Sequence, residues 1–168
     1  TVSGDGREGR YGVSRSLLRS DGVCELVDYF RAATGRLVVC SSSIVVPRTI
    51  ALSVGGFPEG VSICEDHLFW AKIALSQPVA LACEVVAMYD VAVPGQLSEY
   101  WQEGYRKNFE VLEYHRFLAQ KLRNGAGTPS FRRYCLYEFA KAVLQRLRWG
   151  RFKAAVRLMT AIHSTRNG

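Results

Sequence analysis

The adjacent carboxylates of Glu65 and Asp66 are the side chains of this sequence best suited to chemistry. Ser62 lies three residues before Glu65, a spacing typical of a capping box, in which serine and glutamate each bond an unpaired amide at a helix start. The spacing predicts a helix from Ser62 to about Ser76. Asp66 then falls in the first turn, where free amides and the helix dipole favour the ionised carboxylate. Asp66 is therefore the candidate proton acceptor.

The loop before this helix is the candidate border of a cleft. Successive helical residues point about 100° apart, so Glu65 can cap the helix while Asp66 faces the loop. Gly55 and Gly56 allow positive φ and lack side-chain bulk, so a ligand can approach the backbone there. The alternative interpretation is structural: the glycines end a helix and the two acids are ordinary first-turn residues.

Three short motifs follow one another in the middle of the chain. They are CSSSIVVPR at 40–48, GGFPE at 55–59 and EDHLFW at 65–70. Together they resemble the second half of a family 2 glycosyltransferase of the GT-A fold, and the resemblance covers about residues 37–98. It implies an α/β fold, namely a partial GT-A-like nucleotide-diphospho-sugar transferase fold (the acceptor half) over 1–97, followed by an all-helical basic extension over 98–168.

The resemblance implies an inverting glycosyltransferase that moves a sugar from a nucleotide-sugar donor to a carbohydrate or lipid-linked acceptor, as in cell-envelope polysaccharide synthesis. Inversion requires a base that takes the acceptor proton while the nucleotide leaves from the opposite face. By resemblance that base is Asp66. Glu65 would orient the acceptor or only cap the helix, and Trp70 would offer an apolar face to a sugar or belong to the core. The other implied substrate-binding residues are Gly55, Gly56 and Phe57.

A divalent cation, Mg²⁺ or Mn²⁺, is expected for the full-length enzyme, because the leaving diphosphate is usually stabilised by a cation on an Asp-x-Asp pair. The sequence contains no such pair, since Asp5-Gly6-Arg7 lacks the second acid. Tyr89-Asp90-Val91-Ala92 replaces the aromatic-Arg-x-His pattern of the resembled family, so no phosphate or metal contact is assigned there. Because the chain begins at Thr1 rather than Met, we expect a piece of a longer protein that lacks the donor half and is poorly active alone.

The positive charge lies in the C-terminal part of the chain. Residues 1–98 contain 8 Lys/Arg against 10 Asp/Glu, whereas residues 99–168 contain 14 against 5. This excess favours a peripheral membrane contact through residues 99–168 and supports an alternative function, a non-catalytic module whose basic helices dock on an anionic membrane or an acidic partner. Nucleic acid is not expected as a partner, because no reading motif accompanies the basic residues.

The cellular location is predicted from two absences in the sequence. No apolar run reaches the roughly 18 residues that span a bilayer, and residues 1–10 are polar. We expect a cytoplasmic protein or one peripheral to the inner face of the membrane. The five cysteines have no Cys-x-x-Cys spacing, which indicates reduced thiols packed in the core.

Hydrophobic periodicity predicts the remaining elements. In the first half these are a helix over 22–33, a buried strand interrupted by serines over 36–46, a short helix after Pro47 and one or two strands over 78–93. Three helices follow, over 98–123, from Thr128-Pro129 to Gly150, and over 151–164. The last two are expected to bury apolar stripes, formed by Leu136, Phe139, Ala140, Val143, Leu144 and Leu147 and by Phe152, Ala155, Val156, Met159 and Ile162.

Overall fold

A computed structural model describes residues 25–35, 38–61, 64–82 and 112–164, and this part of the chain is mainly helical. Two short strands, β1 (Glu25–Val27) and β2 (Val79–Leu81), form an antiparallel ribbon with Leu26 opposite Ala80. The helices are α1 (Tyr29–Ala33), α2 (Arg48–Ser53), α3 (Glu65–Ser76), α4 (Leu112–Arg123), α5 (Pro129–Arg148) and α6 (Phe152–Ser164). A 3-10 turn spans Ser41–Ser43.

The predicted α/β fold, a GT-A-like acceptor half, is wrong for the described residues. Their only sheet is the ribbon of three-residue strands, whereas a parallel sheet covered by helices needs longer buried strands. The stretch predicted as a buried strand shows the physical reason. Ser43 Oγ accepts from the Cys40 amide at 3.1 Å and donates to the Cys40 carbonyl at 3.0 Å, so the serines bond locally and the chain turns instead of extending.

The chain before α1 also differs from its prediction. The apolar spacing of 22–33 predicts one helix, but residues 25–27 pair with β2 and the helix begins only at Tyr29. Asp28 separates the two elements, because its Oδ1 accepts from the Arg31 amide at 3.1 Å and caps α1. Its Oδ2 accepts from Ser130 Oγ at 2.6 Å, which ties the start of α1 to the start of α5.

Helix α3 starts later than the capping-box spacing predicts. It begins at Glu65 after Cys64, which has a left-handed backbone (φ 57°) and forms no side-chain cap. A residue in that conformation cannot lie inside a right-handed helix, so the predicted start at Ser62 is wrong. The predicted end at Ser76 is confirmed. Ser62 itself lies outside the described residues.

The predicted starts of the last two helices are confirmed. Thr128 caps α5, with Oγ1 accepting from the Phe131 amide at 3.3 Å, and Pro129 occupies the first helical position. Trp149 and Gly150 separate α5 from α6. Of the long helix predicted over 98–123, the structure describes Leu112–Arg123 as helical; the part before 112 and the strand predicted after 82 lie outside the described residues.

An aromatic core joins α1, α3, α4 and α5. The Phe30 and Phe131 rings meet edge to face at a centroid distance of 4.8 Å, which seats α5 on α1. The fully or nearly fully buried members of the core include Tyr29, Phe30, Phe69, Trp70, Tyr114, Leu118, Phe131 and Tyr134. Helices from both sides of residue 97 thus share one core, and the division into units 1–97 and 98–168 stays a prediction.

The apolar stripes predicted to be buried on α5 and α6 are largely exposed. Leu136 and Leu144 of α5 are 65% and 64% exposed, and Phe152 of α6 is 63% exposed. The buried face of α5 instead consists of Phe131, Tyr134, Cys135, Glu138, Ala142 and Arg146. The aromatic rings of that face fit against Phe30, while Arg146 donates to the Ala142 carbonyl at 2.8 Å, so its charge is partly compensated. Within the described ranges, every helix is too short or too polar to cross a bilayer.

Candidate functional site

A cleft of about 250 Å³ opens between α1, residues 38–39, α3 and α5. Aromatic rings form much of its wall, contributed by Tyr29 of α1, Trp70 of α3 and Tyr134 and Tyr137 of α5. Small-molecule sites typically combine such apolar walls with a few polar groups. The cleft therefore has the composition of a binding site.

Three polar side chains line the same cleft. They are His67 of α3 and Glu138 and Lys141 of α5. Glu138 is 8% exposed, and its Oε1 lies 3.6 Å from Lys141 Nζ. That distance is an ion pair but exceeds a hydrogen bond, so the carboxylate keeps acceptor capacity for a ligand.

Asp66, the predicted base, is not among the residues that line the cleft, but it adjoins His67, which does line it. It is half-buried in the first turn of α3, and its Oδ1 accepts from the His67 amide at 2.6 Å. Residues four apart share a helix face, so Asp66 lies on the side of α3 that carries Trp70. Burial, and then the charges of Asp66 and Glu138, raise the pKa of Tyr29 well above its usual value.

Trp70 and Phe57 are brought together by the structure. The Phe57 ring lies 4.3 Å from the Phe69 ring and 5.7 Å from the Trp70 ring, measured between centroids. Trp70 is 5% exposed, so it belongs to the core and also lines the cleft. Its indole Nε1 is buried without a hydrogen-bond partner, an arrangement that is rare unless a ligand or solvent supplies an acceptor.

Glu65 does not occupy the position predicted for it. It is the first residue of α3 rather than the third, so it cannot complete the capping box. One of its carboxylate oxygens, Oε2, is buried without a hydrogen-bond partner. Among the described residues no donor reaches that oxygen, and Glu65 is not one of the residues that line the cleft.

Gly55 and Gly56 follow the C-terminal end of α2 and have free space beside their Cα atoms. Both have positive φ, 83° and 65°, and the Gly56 amide donates to the Ala51 carbonyl at 2.8 Å. A Cβ added at either position would meet no atom within 4 Å. These glycines are therefore required by the turn rather than by a close neighbour, and they reach the site only through Phe57, the next residue in the chain.

Sequence reasoning missed the α1 and α5 sides of the cleft. Tyr134, Glu138 and Lys141 stand at positions i, i+4 and i+7 of α5, which places them on one face. That spacing of polar-tipped residues within a predicted helix was the available signal. Tyr29 lies in a stretch predicted to be an ordinary amphipathic helix, and no local pattern sets it apart.

A pair of buried tyrosines supports this side of the cleft. The hydroxyls of Tyr114 and Tyr134 lie 2.5 Å apart, which links α4 to α5. Burial raises the pKa of both well above the usual tyrosine value. These hydroxyls and that of Tyr29 therefore stay protonated at neutral pH, and Tyr29 can donate a hydrogen bond.

The predicted metal requirement stays a prediction. Within ranges 25–35, 38–61, 64–82 and 112–164, no group of three His, Cys, Asp or Glu side chains is arranged to hold a metal ion. The described residues therefore do not fit the cation that the resemblance implies.

Comparison with known proteins adds no relative. No protein-family model, curated protein or solved structure matches the chain. The function must therefore be argued from the geometry of the cleft and from the residues around it.

Proposed function

We propose that this chain carries the acceptor side of an inverting glycosyltransferase, with Asp66 as the general base. The observation that supports this most is the position of Asp66, in the first turn of α3 and one residue before His67, which lines a cleft walled by aromatic rings. The helix dipole favours negative charge in that turn, and the bond from the His67 amide holds the carboxylate in place. An inverting transfer requires one carboxylate held close to the acceptor hydroxyl, and a half-buried carboxylate next to a residue of the cleft wall is suited to that role.

In the proposed reaction, Asp66 takes the proton of an acceptor hydroxyl as the oxygen attacks the anomeric carbon of a nucleotide sugar. The bond between that carbon and the diphosphate breaks on the opposite face, and the nucleoside diphosphate leaves with the bonding electron pair. Trp70, which lines the cleft, would pack on the sugar, whereas the predicted roles of Phe57 and Glu65, which do not line it, stay predictions. We expect the donor and any Mg²⁺ or Mn²⁺ to be held by residues outside the described ranges, so no step assigned here depends on the cation.

The stereochemistry of the product tests this reaction. The full-length protein is incubated with a panel of nucleotide sugars and simple glycoside acceptors, and the anomeric configuration of each new bond is read from proton coupling constants by NMR. Inversion relative to the donor is the expected result, because a single displacement reverses the configuration at the anomeric carbon. A product that retains the donor configuration would remove the single-base mechanism.

A second candidate function is docking on an anionic membrane, which the exposed face of α6 favours. Phe152, Val156 and Met159 are 63%, 55% and 46% exposed and recur at helical spacing. Lys153 and Arg157, both exposed, stand beside them. An apolar stripe flanked by basic side chains fits the boundary between headgroups and acyl chains of an anionic bilayer.

Vesicle flotation tests the membrane proposal. The chain is expected to float with phosphatidylcholine vesicles that contain phosphatidylglycerol, and to be released by high salt because screening weakens the charge attraction. Phe152→Ala with Met159→Ala should abolish flotation, whereas Leu52→Ala, at an exposed apolar residue of α2, should not. Membrane docking would be contradicted if the double substitution left flotation unchanged or if the wild-type chain did not float. Binding to an acidic protein and not to vesicles would also contradict it and would favour docking on an acidic partner.

A further inference from the structure

We infer that the cleft is the acceptor pocket, that its ligand is one neutral pyranose ring, and that Glu138 of α5 binds two hydroxyls of that ring. This inference rests on the proposed sugar transfer and deepens it by naming the ligand class and a specificity-determining residue. It assigns part of the acceptor site to α5, within the region 98–168 that the sequence presents only as a basic helical extension.

The size and walls of the cleft define the ligand class. Its volume of about 250 Å³ lies just below the range of about 300–1,000 Å³ common for small-molecule sites, so it suits a single ring rather than an oligosaccharide. Tyr29, Trp70 and Tyr137 present aromatic surface to it. The C–H faces of a pyranose pack against such rings, and its hydroxyls project from the edge toward polar groups.

Glu138 is the carboxylate that lines the cleft and can accept hydrogen bonds from a ligand. The residue is 8% exposed, and its charge is offset only by Lys141 Nζ at 3.6 Å. The 3.6 Å distance is longer than a hydrogen bond, so both carboxylate oxygens can accept hydrogen bonds from a ligand. Two neighbouring hydroxyls of a sugar would donate one charge-assisted hydrogen bond to each oxygen.

The charges around the cleft favour a neutral sugar. Glu138 is the carboxylate among the lining residues, and the Lys141 ammonium group already pairs with it at 3.6 Å. A uronic acid or a phosphorylated sugar would bring a further negative charge next to the Glu138 carboxylate, and like charges at short range are unfavourable. A ring of hydroxyls carries no such penalty.

The same arrangement orients the acceptor toward the base. Glu138 lines the cleft from one side, and Asp66 adjoins His67, which lines it from the other. They come from different helices, α3 and α5, which face each other across the cleft. A ring held by Glu138 through two hydroxyls would therefore present its other hydroxyls to the α3 side of the cleft, the side on which Asp66 adjoins His67.

Saturation-transfer NMR tests the pocket directly. The probes are the methyl pyranosides of glucose, galactose, mannose and N-acetylglucosamine, with methyl glucuronide as the anionic comparison. We expect saturation of ring protons for at least one neutral glycoside, and a dissociation constant about tenfold weaker in Glu138→Gln, because a charge-assisted hydrogen bond is lost. Methyl glucuronide should bind more weakly than methyl glucoside.

Two variants make the test specific. Glu113→Gln is the matched control, since Glu113 also pairs with a base three residues on, Arg116 at 2.8 Å, but on an exposed surface away from the cleft. It should bind like the wild type. Tyr137→Ala removes a wall residue that is 39% exposed, so it leaves the buried core intact if Glu138→Gln fails to fold. It should weaken binding by a comparable factor.

The outcomes separate this inference from the proposed reaction. Wild-type affinity in both Glu138→Gln and Tyr137→Ala, equal binding of the glucuronide, or no saturation of any glycoside would overturn the pocket assignment. Loss of binding in both variants supports it. If Asp66→Asn transfers sugar at the wild-type rate while Glu138→Gln loses the glycoside, the base assignment fails and the pocket stands.

Discussion

Replacement of Gly127 by alanine should disturb the packing of α5 on α1, and with it one wall of the cleft. Gly127 has φ +91°, and a Cβ added there would come within 2.7 Å of Phe131 Cγ and 2.8 Å of Phe131 Cβ. Phe131 cannot move away easily, because it is fully buried and its ring packs on Phe30 at 4.8 Å. The substitution therefore combines a strained backbone with a steric conflict in the core.

The size of the effect follows from these two contributions. The left-handed backbone costs an alanine about 1–2 kcal/mol, and overpacking of a core costs about 1–3 kcal/mol, so the free energy of unfolding should fall by about 2–5 kcal/mol. Gly125→Ala is the matched control, since Gly125 has φ +69° but a Cβ there meets nothing within 4 Å. Gly125→Ala should lower the free energy of unfolding by the backbone contribution alone.

Urea unfolding followed by circular dichroism measures both variants. Gly127→Ala should shift the midpoint clearly further than Gly125→Ala, and it should also weaken glycoside binding, because the displaced α5 carries Glu138. Equal losses of stability in the two variants would refute the steric argument, since backbone strain alone would then account for both.

Two further predictions concern buried ionisable groups. Cys135 is fully buried, and burial raises the pKa of its thiol to about 12. Iodoacetamide should therefore modify Cys40 and Cys64 in the native chain and Cys135 only in urea. Peptide mapping that finds Cys135 of the native chain labelled as fast as Cys64 would contradict this prediction. Burial also raises the pKa of Tyr29, so the unfolded chain loses that proton first, and Tyr29 should contribute up to about 1.4 kcal/mol per pH unit to the fall in the free energy of unfolding above about pH 10, in addition to the contributions of Tyr114 and Tyr134. Tyr29→Phe should reduce the slope in urea titrations by that amount; an unchanged slope would show that Tyr29 does not contribute to it.

The sequence predicted those features that depend on residues close together in the chain. Thr128 and Pro129 define the start of α5 because a side-chain cap and a fixed φ act within one turn. The Ser62 spacing is just as local, yet the helix begins at Glu65, because Cys64 adopts a left-handed conformation that the S-x-x-E pattern cannot reveal. A short motif indicates which capping hydrogen bonds are possible, but whether they form depends on the backbone conformation of the neighbouring residues.

Longer-range features were not predictable from periodicity. The stripe containing Leu136 and Leu144 is apolar at helical spacing, but α5 buries the face that carries Phe131 and Tyr134, because those rings fill the space against Phe30. Which of two apolar faces is buried depends on the partner helix, and that partner is about a hundred residues away in the chain. The cleft has the same origin, since its walls come from α1, α3 and α5.

The turnover of Asp66→Asn tests the central claim most directly. Asparagine keeps an oxygen that can accept from the His67 amide but is a far weaker base, so the full-length variant should fold normally, bind the methyl glycosides like the wild type, and transfer sugar about 10²–10⁴ times more slowly. Glu113→Gln, at an exposed surface carboxylate, should retain wild-type turnover. A normally folded Asp66→Asn protein that transfers sugar at the wild-type rate would contradict the assignment of Asp66 as the base.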